Sequence, residues 1–486
     1  MTIAIRQFQI EGVAELIRRK RTILADDPGL GKTAQALLAM KEMGNSSEHR
    51  GGMNVLILCT GSGWDAWTRI EMQKFLPEEQ WPEGLARPSL VSGQASVRMK
   101  QWANTFTIAL QGTLRADLGR LDQIMDLIRK ASSRRKTDPV WDLVIVDEAH
   151  KCMRNRKTKI YEALLQVAKN CTYLWPLTGS PANRAAQNYW GYLHLLDPKK
   201  FSSYWAWVNK FCLVDNNGFG REIVGNRDVD GCVRALEPYM LRRERSQVAA
   251  DLGEKQRIPV MLQLPAPLRK LYDGLQEDLF AEFDGSSVMA PAKLAAIVQL
   301  RKMLVSPRML FPGYTSMAPA LERFLEHLRD CTELERHCVV YTPFREGADI
   351  IEQSILEHWV GAHPRILQFR GGLEKGTIGE MQEAFDADSG AIAICTIKFA
   401  ESYSLASAFA GHFIGYEWDP EEIKQAEDRI VRLSGRKTPA LYYYYLVENT
   451  IDEVMREVLN TKNMNVTAIN AKLGELVARR KQLSRN

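Results

Sequence analysis

The feature that most constrains this sequence is the run from Ile23 to Gln35, which reads I-L-A-D-D-P-G-L-G-K-T-A-Q. A short apolar run from Thr22 to Ala25 predicts a buried strand. The segment from Ala34 to Met43 is rich in Ala, Leu and Met, which predicts a helix. Between them, Gly29 to Gly31 predict a turn that lets the backbone approach a ligand closely.

Lys32 and Thr33 follow that turn, in the order found in the phosphate-binding loop of nucleotide triphosphatases. In such a loop the amides at the helix N-terminus bind phosphate oxygens, the lysine reaches the β- and γ-phosphates, and the hydroxyl reaches Mg²⁺. One departure is that the usual first glycine of G-x-x-x-x-G-K-[ST] is Asp26 here. The pattern predicts ATP and Mg²⁺ as cofactors, and the rest of the site has to come from elsewhere in the chain.

A hydrophobic run that starts at Val140 ends on two adjacent carboxylates, Asp147 and Glu148, in the sequence D-E-A-H. Carboxylates at the C-terminal edge of a strand lie where α/β sheets bind ligands. We expect Asp147 to hold Mg²⁺ and Glu148 to orient or deprotonate the attacking water. A D-E pair alone is common by chance, but a D-E-A-H downstream of G-L-G-K-T indicates an ATPase. Thr178 and Ser180 are expected to hydrogen-bond this acidic motif.

Composition sets the remaining limits. At 486 residues the chain is expected to hold more than one domain, and its 45% hydrophobic and 25% charged residues are those of an ordinary globular protein. The sequence shows no secretory signal and no membrane-length apolar run, so we expect a cytoplasmic location. The eight cysteines form no C-x-x-C pair, which favours buried free thiols in a reducing cytosol over zinc. The net charge of +5 permits a polyanionic partner without requiring one.

Strands and helices alternate in two stretches of the chain. The buried runs Asn54–Thr60 and Phe106–Leu110, with helical segments between them, predict a parallel sheet covered on both faces. From Tyr189 to about Ser306 the pattern becomes helical and rich in aromatic residues, which favours core packing over a base-stacking platform. Alternation resumes with His337–Thr342 and Ala391–Thr396, which predicts a second α/β unit without a phosphate loop of its own.

Two groups of polar residues have both a structural and a functional interpretation. Gln9 lies in a segment whose apolar residues share a helical face, so it belongs either to a packing helix or to an adenine-reading site, because an amide can both donate to and accept from the base edge. Arg429 and Arg432 are three residues apart on a predicted helix, Gln425–Arg432. They form either a solvated stripe or, in a two-lobed ATPase, arginine fingers that reach the γ-phosphate.

These motifs, taken in order, resemble those of superfamily 2 helicase-type ATPases, and among them the Swi/Snf-type DNA translocases. The resemblance rests on R-Q-F-Q, D-D-P-G-L-G-K-T, L-I-L-C-T-G-S-G-W-D-A-W, D-E-A-H-K, L-T-G-S-P-A-N, Y-T-P-F-R-E-G, E-P-Y-M-L-R-R and Q-A-E-D-R-I-V-R. The family's D-E-M-G-L-G-K-T also carries Asp in place of the first glycine. The resemblance implies nucleotide-binding roles for Gln9, Asp27, Gly29, Gly31, Lys32, Thr33 and Gln425, metal-binding roles for Thr33 and Asp147, and catalytic roles for Lys32, Glu148, Arg429 and Arg432.

Two departures from the family pattern concern the second lobe. The glycine-rich motif V is F-A-E-S-Y-S-L here, with Ser402 where a glycine is usual, and the family's R-I-G-Q after motif VI becomes Arg432-Leu-Ser-Gly-Arg436. The expected fold is α/β, with two RecA-like parallel-sheet lobes, helical insertions between them, and ATP in the cleft between the lobes. The expected domains are an ATP-binding lobe at 1–195, a helical insertion and linker at 196–310, a C-terminal lobe at 311–460 and a basic helix at 461–486.

The implied function is ATP-dependent movement along duplex or branched DNA. We expect the protein to bind the DNA mainly through the phosphates of the DNA backbone. With no chromodomain, bromodomain, zinc or nuclease signature in the sequence, we expect a minimal, monomeric phage- or bacterial-like motor that remodels forks or junctions or displaces bound proteins. One alternative is an RNA or single-strand unwinding helicase of the DEAH type. The other is an ATP-gated DNA clamp without motor activity.

Overall fold

The computed structural model describes residues 5–49, 51–181, 185–216, 220–248, 255–281, 290–333, 336–361, 363–374, 376–399, 403–431 and 439–461. The chain divides into two compact units, unit 1 from Met1 to Ala250 and unit 2 from Asp251 to Asn486. Among the described residues, every helix is too short or too polar to cross a membrane.

The elements of unit 1 alternate along the chain. Its strands are β1 Ile23–Leu24, β2 Val55–Cys59, β3 Ser89–Val91, β4 Phe106–Leu110, β5 Trp141–Val146, β6 Cys171–Pro176, β7 Cys212–Asn216, β8 Arg221–Asn226 and β9 Met240–Leu241. Its helices are α1 Gln7–Arg19, α2 Lys32–Asn45, α3 Glu71–Phe75, α4 Ala95–Trp102, α5 Gln111–Ala116, α6 Leu121–Ala131, α7 His150–Met153, α8 Lys159–Lys169, α9 Tyr189–Leu196, α10 Tyr204–Phe211, α11 Val229–Leu236 and α12 Arg245–Val248.

The main sheet of unit 1 has the strand order β3-β4-β2-β5-β6, and all its pairs are parallel. Single bridges from Arg21 to Leu174 and from Leu24 to Leu177 place β1 beside β6, and β9 pairs in parallel with the other edge of β1. Every residue of β2 is buried, as expected for a parallel strand with both faces covered. The carboxyl ends of β1 and β5 therefore belong to one continuous arrangement of strands.

The aromatic-rich stretch that begins at Tyr189 packs into the core of unit 1. Trp190, Tyr192, Phe201 and Trp207 are buried in one cluster with residues of the sheet. The preference for core packing over base stacking is confirmed for these four side chains. The same stretch also contains the antiparallel hairpin β7–β8, which the helical pattern did not predict.

Unit 2 is a second parallel α/β unit. Its strands are β10 Lys255–Leu262, β11 Cys338–Thr342, β12 Ile366–Phe369, β13 Ile392–Thr396, β14 Ala410–Phe413 and β15 Ala440–Val447, and its helices are α13 Ala266–Ala281, α14 Ala290–Val305, α15 Pro319–Glu333, α16 Arg345–His358, α17 Thr377–Ala387, α18 Pro420–Glu427 and α19 Ile451–Thr461. The strand order is β10-β15-β14-β11-β13-β12, with every pair parallel. The predicted α/β class with two parallel-sheet lobes is confirmed. Strand β10 joins this sheet, although it lies inside the segment 196–310 that was assigned to the insertion and linker.

The helix predicted over Gln425–Arg432 is wrong in its bounds. Helix α18 runs from Pro420 to Glu427, with Asp419 accepting a hydrogen bond from the amide of Glu421 at its N-terminus. The chain leaves the helix at Asp428, so Arg429 lies in the turn that follows α18. Arg432 lies outside the described residues.

Candidate nucleotide-binding site

The phosphate loop leaves β1 and enters α2 through two glycines with left-handed backbone, Gly29 (φ 85°) and Gly31 (φ 73°). Gly31 caps the N-terminus of α2, and Lys32 and Thr33 are the first two residues of that helix. A helix N-terminus that follows a glycine turn can bind phosphate oxygens through the backbone amides of its first turn.

Gln9 approaches this loop closely. The side-chain amide of Gln9 donates to the carbonyl of Leu30 at 3.3 Å and accepts from the amide of Arg6 at 3.0 Å. A Cβ atom at Gly31 would lie 2.5 Å from Nε2 of Gln9, so only glycine fits there with its positive φ. The structure therefore places Gln9 against the phosphate loop, on helix α1.

The Lys32 ammonium is held inside the loop. Its Nζ donates to the carbonyl oxygens of Asp26 at 2.8 Å and Asp27 at 3.4 Å. The positive charge thus lies over the loop that the two glycines shape, where it can meet a phosphate.

Asp26, which replaces the usual first glycine, is fully buried and paired with Arg243. Nε and Nη2 of Arg243 donate to the two carboxylate oxygens of Asp26 at 3.0 and 2.5 Å, and its Nη2 also donates to Oε1 of Gln35 at 2.6 Å. Nη1 of Arg243 donates to the carbonyl of Phe8. The closeness of these groups requires Gly12, because a Cβ there would lie 1.9 Å from Oε1 of Gln35 and 2.7 Å from Nη2 of Arg243.

The backbone of residues 240–245 continues the same contact. The amide of Asp27 donates to the carbonyl of Arg243 at 3.1 Å, and the amide of Arg245 donates to the Asp27 carboxylate at 3.2 Å. Nη2 of Arg245 donates to the carbonyl of Pro28 at 2.7 Å. We call residues 240–245 the loop brace, because they hold the phosphate loop through backbone and side-chain bonds together.

The first acidic residue of the D-E-A-H motif, Asp147, follows directly after β5 and is 9% exposed. Its Oδ2 accepts from the indole Nε1 of Trp67 at 2.9 Å, and its backbone oxygen accepts from the Gln111 side chain at 2.7 Å. Burial, and then the negative charge of Glu148, raise the pKa of Asp147 to about 6. The Trp67 hydrogen bond and the Lys32 ammonium act in the opposite direction on that pKa, which places Lys32 within electrostatic reach of Asp147.

Glu148 adopts a left-handed backbone conformation with φ 44°, which is costly for a residue with a side chain and is concentrated at functional sites. Its Oε2 lies 3.2 Å from Nδ1 of His150, and the same ring nitrogen lies 3.2 Å from the hydroxyl of Thr178. The predicted contact between Thr178 and the acidic motif is thus confirmed through His150. Ser180 instead has its amide bonded to the Thr178 hydroxyl and its carbonyl bonded to Arg154.

The donor set of this region fits a magnesium ion. Mg²⁺ prefers hard oxygen ligands and is usually held by one or two carboxylates or hydroxyls together with phosphate oxygens. Asp147 supplies a carboxylate, and Thr33 supplies a hydroxyl at the start of α2. The Asp147 carboxyl is mostly ionised above about pH 6, and in that range it can act as a magnesium ligand.

The residues expected from unit 2 are placed only in part. Gln425 lies in α18, and its carbonyl accepts from Nε of Arg429 at 3.1 Å. Arg429 is 4% exposed, and its Nη1 donates to the carbonyl of Tyr403 at 3.0 Å. A solvated arginine stripe is therefore wrong for Arg429, whose guanidinium is buried against backbone oxygens. Arg432 and Ser402 lie outside the described residues.

Sequence reasoning missed three contributors to the site in unit 1. These are Trp67, Gln111 and Arg243, none of which is among the candidate residues of the sequence analysis, although Trp67 and Arg243 lie within two of the motifs quoted there. Gln111 is in fact the first residue of helix α5. The signal available for Arg243 was the L-R-R sequence, because an arginine is a suitable partner for the aspartate that replaces the loop glycine.

Comparison with known proteins identifies the class. Residues 8–309 match the family model described as SNF2-related domain, which is more than half of the 486 residues. The chain therefore belongs to the SNF2-related family, and the resemblance found in its motifs is confirmed.

Its curated relatives are larger proteins. The chain is 24% identical over 463 residues to the human DNA annealing helicase and endonuclease ZRANB3, covering 94% of this chain and 39% of that protein. It is 23% identical over 500 residues to chromodomain-helicase-DNA-binding protein 8 of Danio rerio, covering 94% of this chain and 18% of that protein. Among solved structures, the Sulfolobus solfataricus SWI2/SNF2 ATPase core in complex with dsDNA matches with a TM-score of 0.43 and 21% identity, over 94% of this chain and 91% of that one.

Proposed function

We propose that this chain is a DNA-dependent ATPase that couples ATP hydrolysis to movement along duplex or branched DNA. The observation that carries this proposal is the approach of two motifs within unit 1. The phosphate loop follows β1 and Asp147 follows β5, and the segment after β6 joins both strands: the amide of Leu177 donates to the carbonyl of Val146 at 2.8 Å, and the amide of Thr178 donates to that of Leu24 at 3.1 Å. Family membership supports DNA as the substrate, and two relatives are named as DNA helicases.

Each residue of unit 1 has a role in this reaction. The amides at the start of α2, together with Lys32, bind the phosphates, and Thr33 and Asp147 hold Mg²⁺. When bound, Mg²⁺ would neutralise the negative charge that develops on the phosphate oxygens. Glu148 accepts the proton of the attacking water, and His150 orients its carboxylate from 3.2 Å.

Four further residues are assigned to the nucleotide site by motif match. Gln9 reads the adenine edge, and its place against the phosphate loop supports that role. Gln425 takes part in binding the nucleotide, and Arg429 and Arg432 act as arginine fingers on the γ-phosphate. For Arg429 this role requires that its guanidinium give up the carbonyls of Gln425 and Tyr403, so it implies a rearrangement of the turn after α18.

Substitution at the two central residues tests the ATPase. Lys32→Ala removes the charge on the phosphates and Glu148→Gln removes the base, so each should lower the DNA-stimulated turnover by at least about 100-fold. Lys41→Ala, at a half-buried lysine on the same helix α2, and Glu162→Gln, at an exposed glutamate of α8, are the matched controls and should leave turnover unchanged. Normal turnover in folded Lys32→Ala or Glu148→Gln protein would overturn the assignment.

Two alternatives, one within the enzyme class and one from another class, are tested with a substrate panel and a motor assay. ATPase stimulation is measured in parallel with duplex DNA, branched DNA, single-stranded DNA and RNA. Stimulation by duplex or branched DNA is expected, whereas stimulation mainly by RNA or single strands favours a DEAH-type unwinding helicase. Displacement of a triplex-forming strand, or migration of a four-way junction, then separates a motor from an ATP-gated clamp, which does neither.

The proposal includes a monomeric enzyme in a reducing compartment, such as the cytosol of a bacterium or of a phage-infected cell. All eight cysteines are free and buried in the structure, as the sequence predicted. Light scattering with and without DNA checks the monomeric state.

A further inference from the structure

Three metal-binding side chains from three separate elements of unit 2 meet in its core. Cys331 lies near the end of α15, Cys338 begins β11, and His412 lies in β14. Strand β11 pairs with β14 so that Cys338 faces Ala410, and His412 is two residues further along, which puts both side chains on the same face of the sheet. The two sulfur atoms and a ring nitrogen of His412 all lie within 4.8 Å of one another.

All three side chains are buried, with Cys331 7% exposed and the other two fully enclosed. Nε2 of His412 has no hydrogen-bond partner among the described residues, although a buried ring nitrogen without one costs free energy. Such an atom needs an explanation, and a bound ion next to two thiols supplies one.

The opposite nitrogen of His412 is held in the way that metal-ligating histidines are. Its Nδ1 lies 2.9 Å from the hydroxyl of Tyr445, which itself lies 2.8 Å from Nδ1 of His327. When the Tyr445 hydroxyl donates to His327, it accepts the proton on Nδ1 of His412 and leaves the lone pair on Nε2. The ring is fixed further by Tyr443, which stacks on it at 5.0 Å with planes 9° apart. An orienting partner on the second nitrogen is a regular feature of histidine metal ligands.

Thiolate is the form of cysteine that binds metals, so binding at this cluster requires the thiols of Cys331 and Cys338 to ionise.

We propose that Cys331, Cys338 and His412 bind a Zn²⁺ ion in unit 2. Two thiolates and an imidazole are donors that suit zinc, which takes four ligands in a tetrahedron and often has three from the protein and one from water. At bond lengths of about 2.3 Å to sulfur and 2.0 Å to nitrogen, tetrahedral donors lie about 3.8 Å apart for two sulfurs and about 3.5 Å apart for sulfur and nitrogen. The donor atoms, which lie within 4.8 Å of one another, need to approach by about 1.3 Å or less to reach that geometry.

Binding converts each cysteine thiol into a thiolate, releases one proton per thiol to solvent, and leaves the oxidation states of sulfur and zinc unchanged. The ion would join α15 to β11 and β14 and so stabilise unit 2. Removing it with a chelator should therefore lower the unfolding temperature of unit 2.

The test uses the full chain, purified under reducing conditions and dialysed against a chelator. Titration with Co²⁺ as the probe should produce thiolate-to-cobalt charge-transfer absorption that saturates at one equivalent, and Zn²⁺ should abolish this absorption. The charge transfer reports thiolate ligands only, so Co²⁺ bound in a magnesium site does not contribute to it. Absence of the band in wild-type protein, together with loss of added Zn²⁺ on gel filtration, would overturn the proposal.

Matched variants locate the site. Cys331→Ala and Cys338→Ala should abolish the charge-transfer band, whereas Cys395→Ala, which removes a buried thiol outside the cluster, should keep it. Tyr445→Phe keeps all three ligands but removes the orienting hydroxyl, so it should weaken zinc binding by about 10- to 100-fold. An unchanged affinity in Tyr445→Phe protein together with an unchanged band in Cys338→Ala protein contradicts the assignment.

A disulfide between Cys331 and Cys338 is the competing explanation for their closeness. Thiol titration of the unfolded wild-type chain, purified without reductant, distinguishes the two. Eight reactive thiols are expected for a zinc site, whereas a count of two fewer would show the disulfide and refute the proposal.

Discussion

Replacing Arg243 with methionine removes the charge that balances Asp26 beneath the phosphate loop. Asp26 is fully buried, and the Arg243 side chain is 12% exposed. Breaking a buried ion pair by removing one partner costs about 3–5 kcal/mol, because the remaining charge is left without compensation. For a unit of this size, 1 kcal/mol corresponds to about 2–4 °C, so unit 1 should unfold about 6–20 °C earlier.

The double variant tests whether the pair itself causes the loss. In Asp26→Asn/Arg243→Met protein the buried charge is gone, while an acceptor remains for the backbone amide of Arg243, which donates to the Asp26 carboxylate at 3.1 Å. Replacing both members of a buried pair is often close to neutral. Most of the lost stability should therefore return. Tryptophan fluorescence follows unit 1, because only Trp359 and Trp418 of the eleven tryptophans lie in unit 2.

A second buried pair in unit 1 provides the control for function. Arg98 and Asp117 are 2.5 Å apart, with the carboxylate 1% and the guanidinium 15% exposed. Arg98→Met should cost a similar amount of stability and leave ATP affinity unchanged. Arg243→Met should also weaken ATP binding, since Asp26 carries the carbonyl that holds Lys32. The reasoning fails if Arg243→Met is as stable as wild type, or if both variants lose ATP affinity equally.

Two further predictions concern the buried Asp452 and the close approach at Gly12. Burial raises the pKa of Asp452 to about 7 from an ordinary 3.8, so its contribution to the stability of unit 2 is complete below pH 4 and is lost as the pH rises through 7. Urea unfolding at pH 5 and pH 8 should show this loss in wild type and in Glu453→Gln protein but not in Asp452→Asn. Gly12→Ala should destabilise unit 1 in thermal unfolding, because the new Cβ displaces the Arg243 guanidinium, whereas Gly112→Ala in open space should add about 1 kcal/mol of stability.

The parts of the fold that the sequence predicted are those set by short-range patterns. Strand β2 and the phosphate loop can be found from contiguous residues, because hydrophobic runs and glycine turns act locally. The partner of Asp26 lies 217 residues away, and no spacing rule connects the two. The end of α18 was missed for a similar reason: Glu427 and Asp428 form ion pairs with Lys255 of β10, a contact that periodicity does not contain.

The proposed zinc ligands also could not be found from sequence spacing. The absence of C-x-x-C argued against zinc, but that rule finds ligands that are neighbours in sequence. Cys331 and His412 are 81 residues apart and meet only because β14 pairs with β11 next to the end of α15. A parallel sheet brings distant residues to one face, so ligand sets built across its strands have no characteristic spacing.

Asp26, in the first position of the phosphate loop, also acts through a contact with a residue that is distant in the sequence. A glycine at that position has no side chain, so it could not anchor the loop to another part of the chain. The carbonyls of Asp26 and Asp27 accept hydrogen bonds from Lys32. Both residues are held by the loop brace, Asp26 through the side chain of Arg243 and Asp27 through its backbone bond to Arg243. The brace ends at Arg245, five residues before the boundary of unit 1. The position of the phosphate loop therefore depends on a residue 217 positions away in the sequence as well as on the strand that carries the loop.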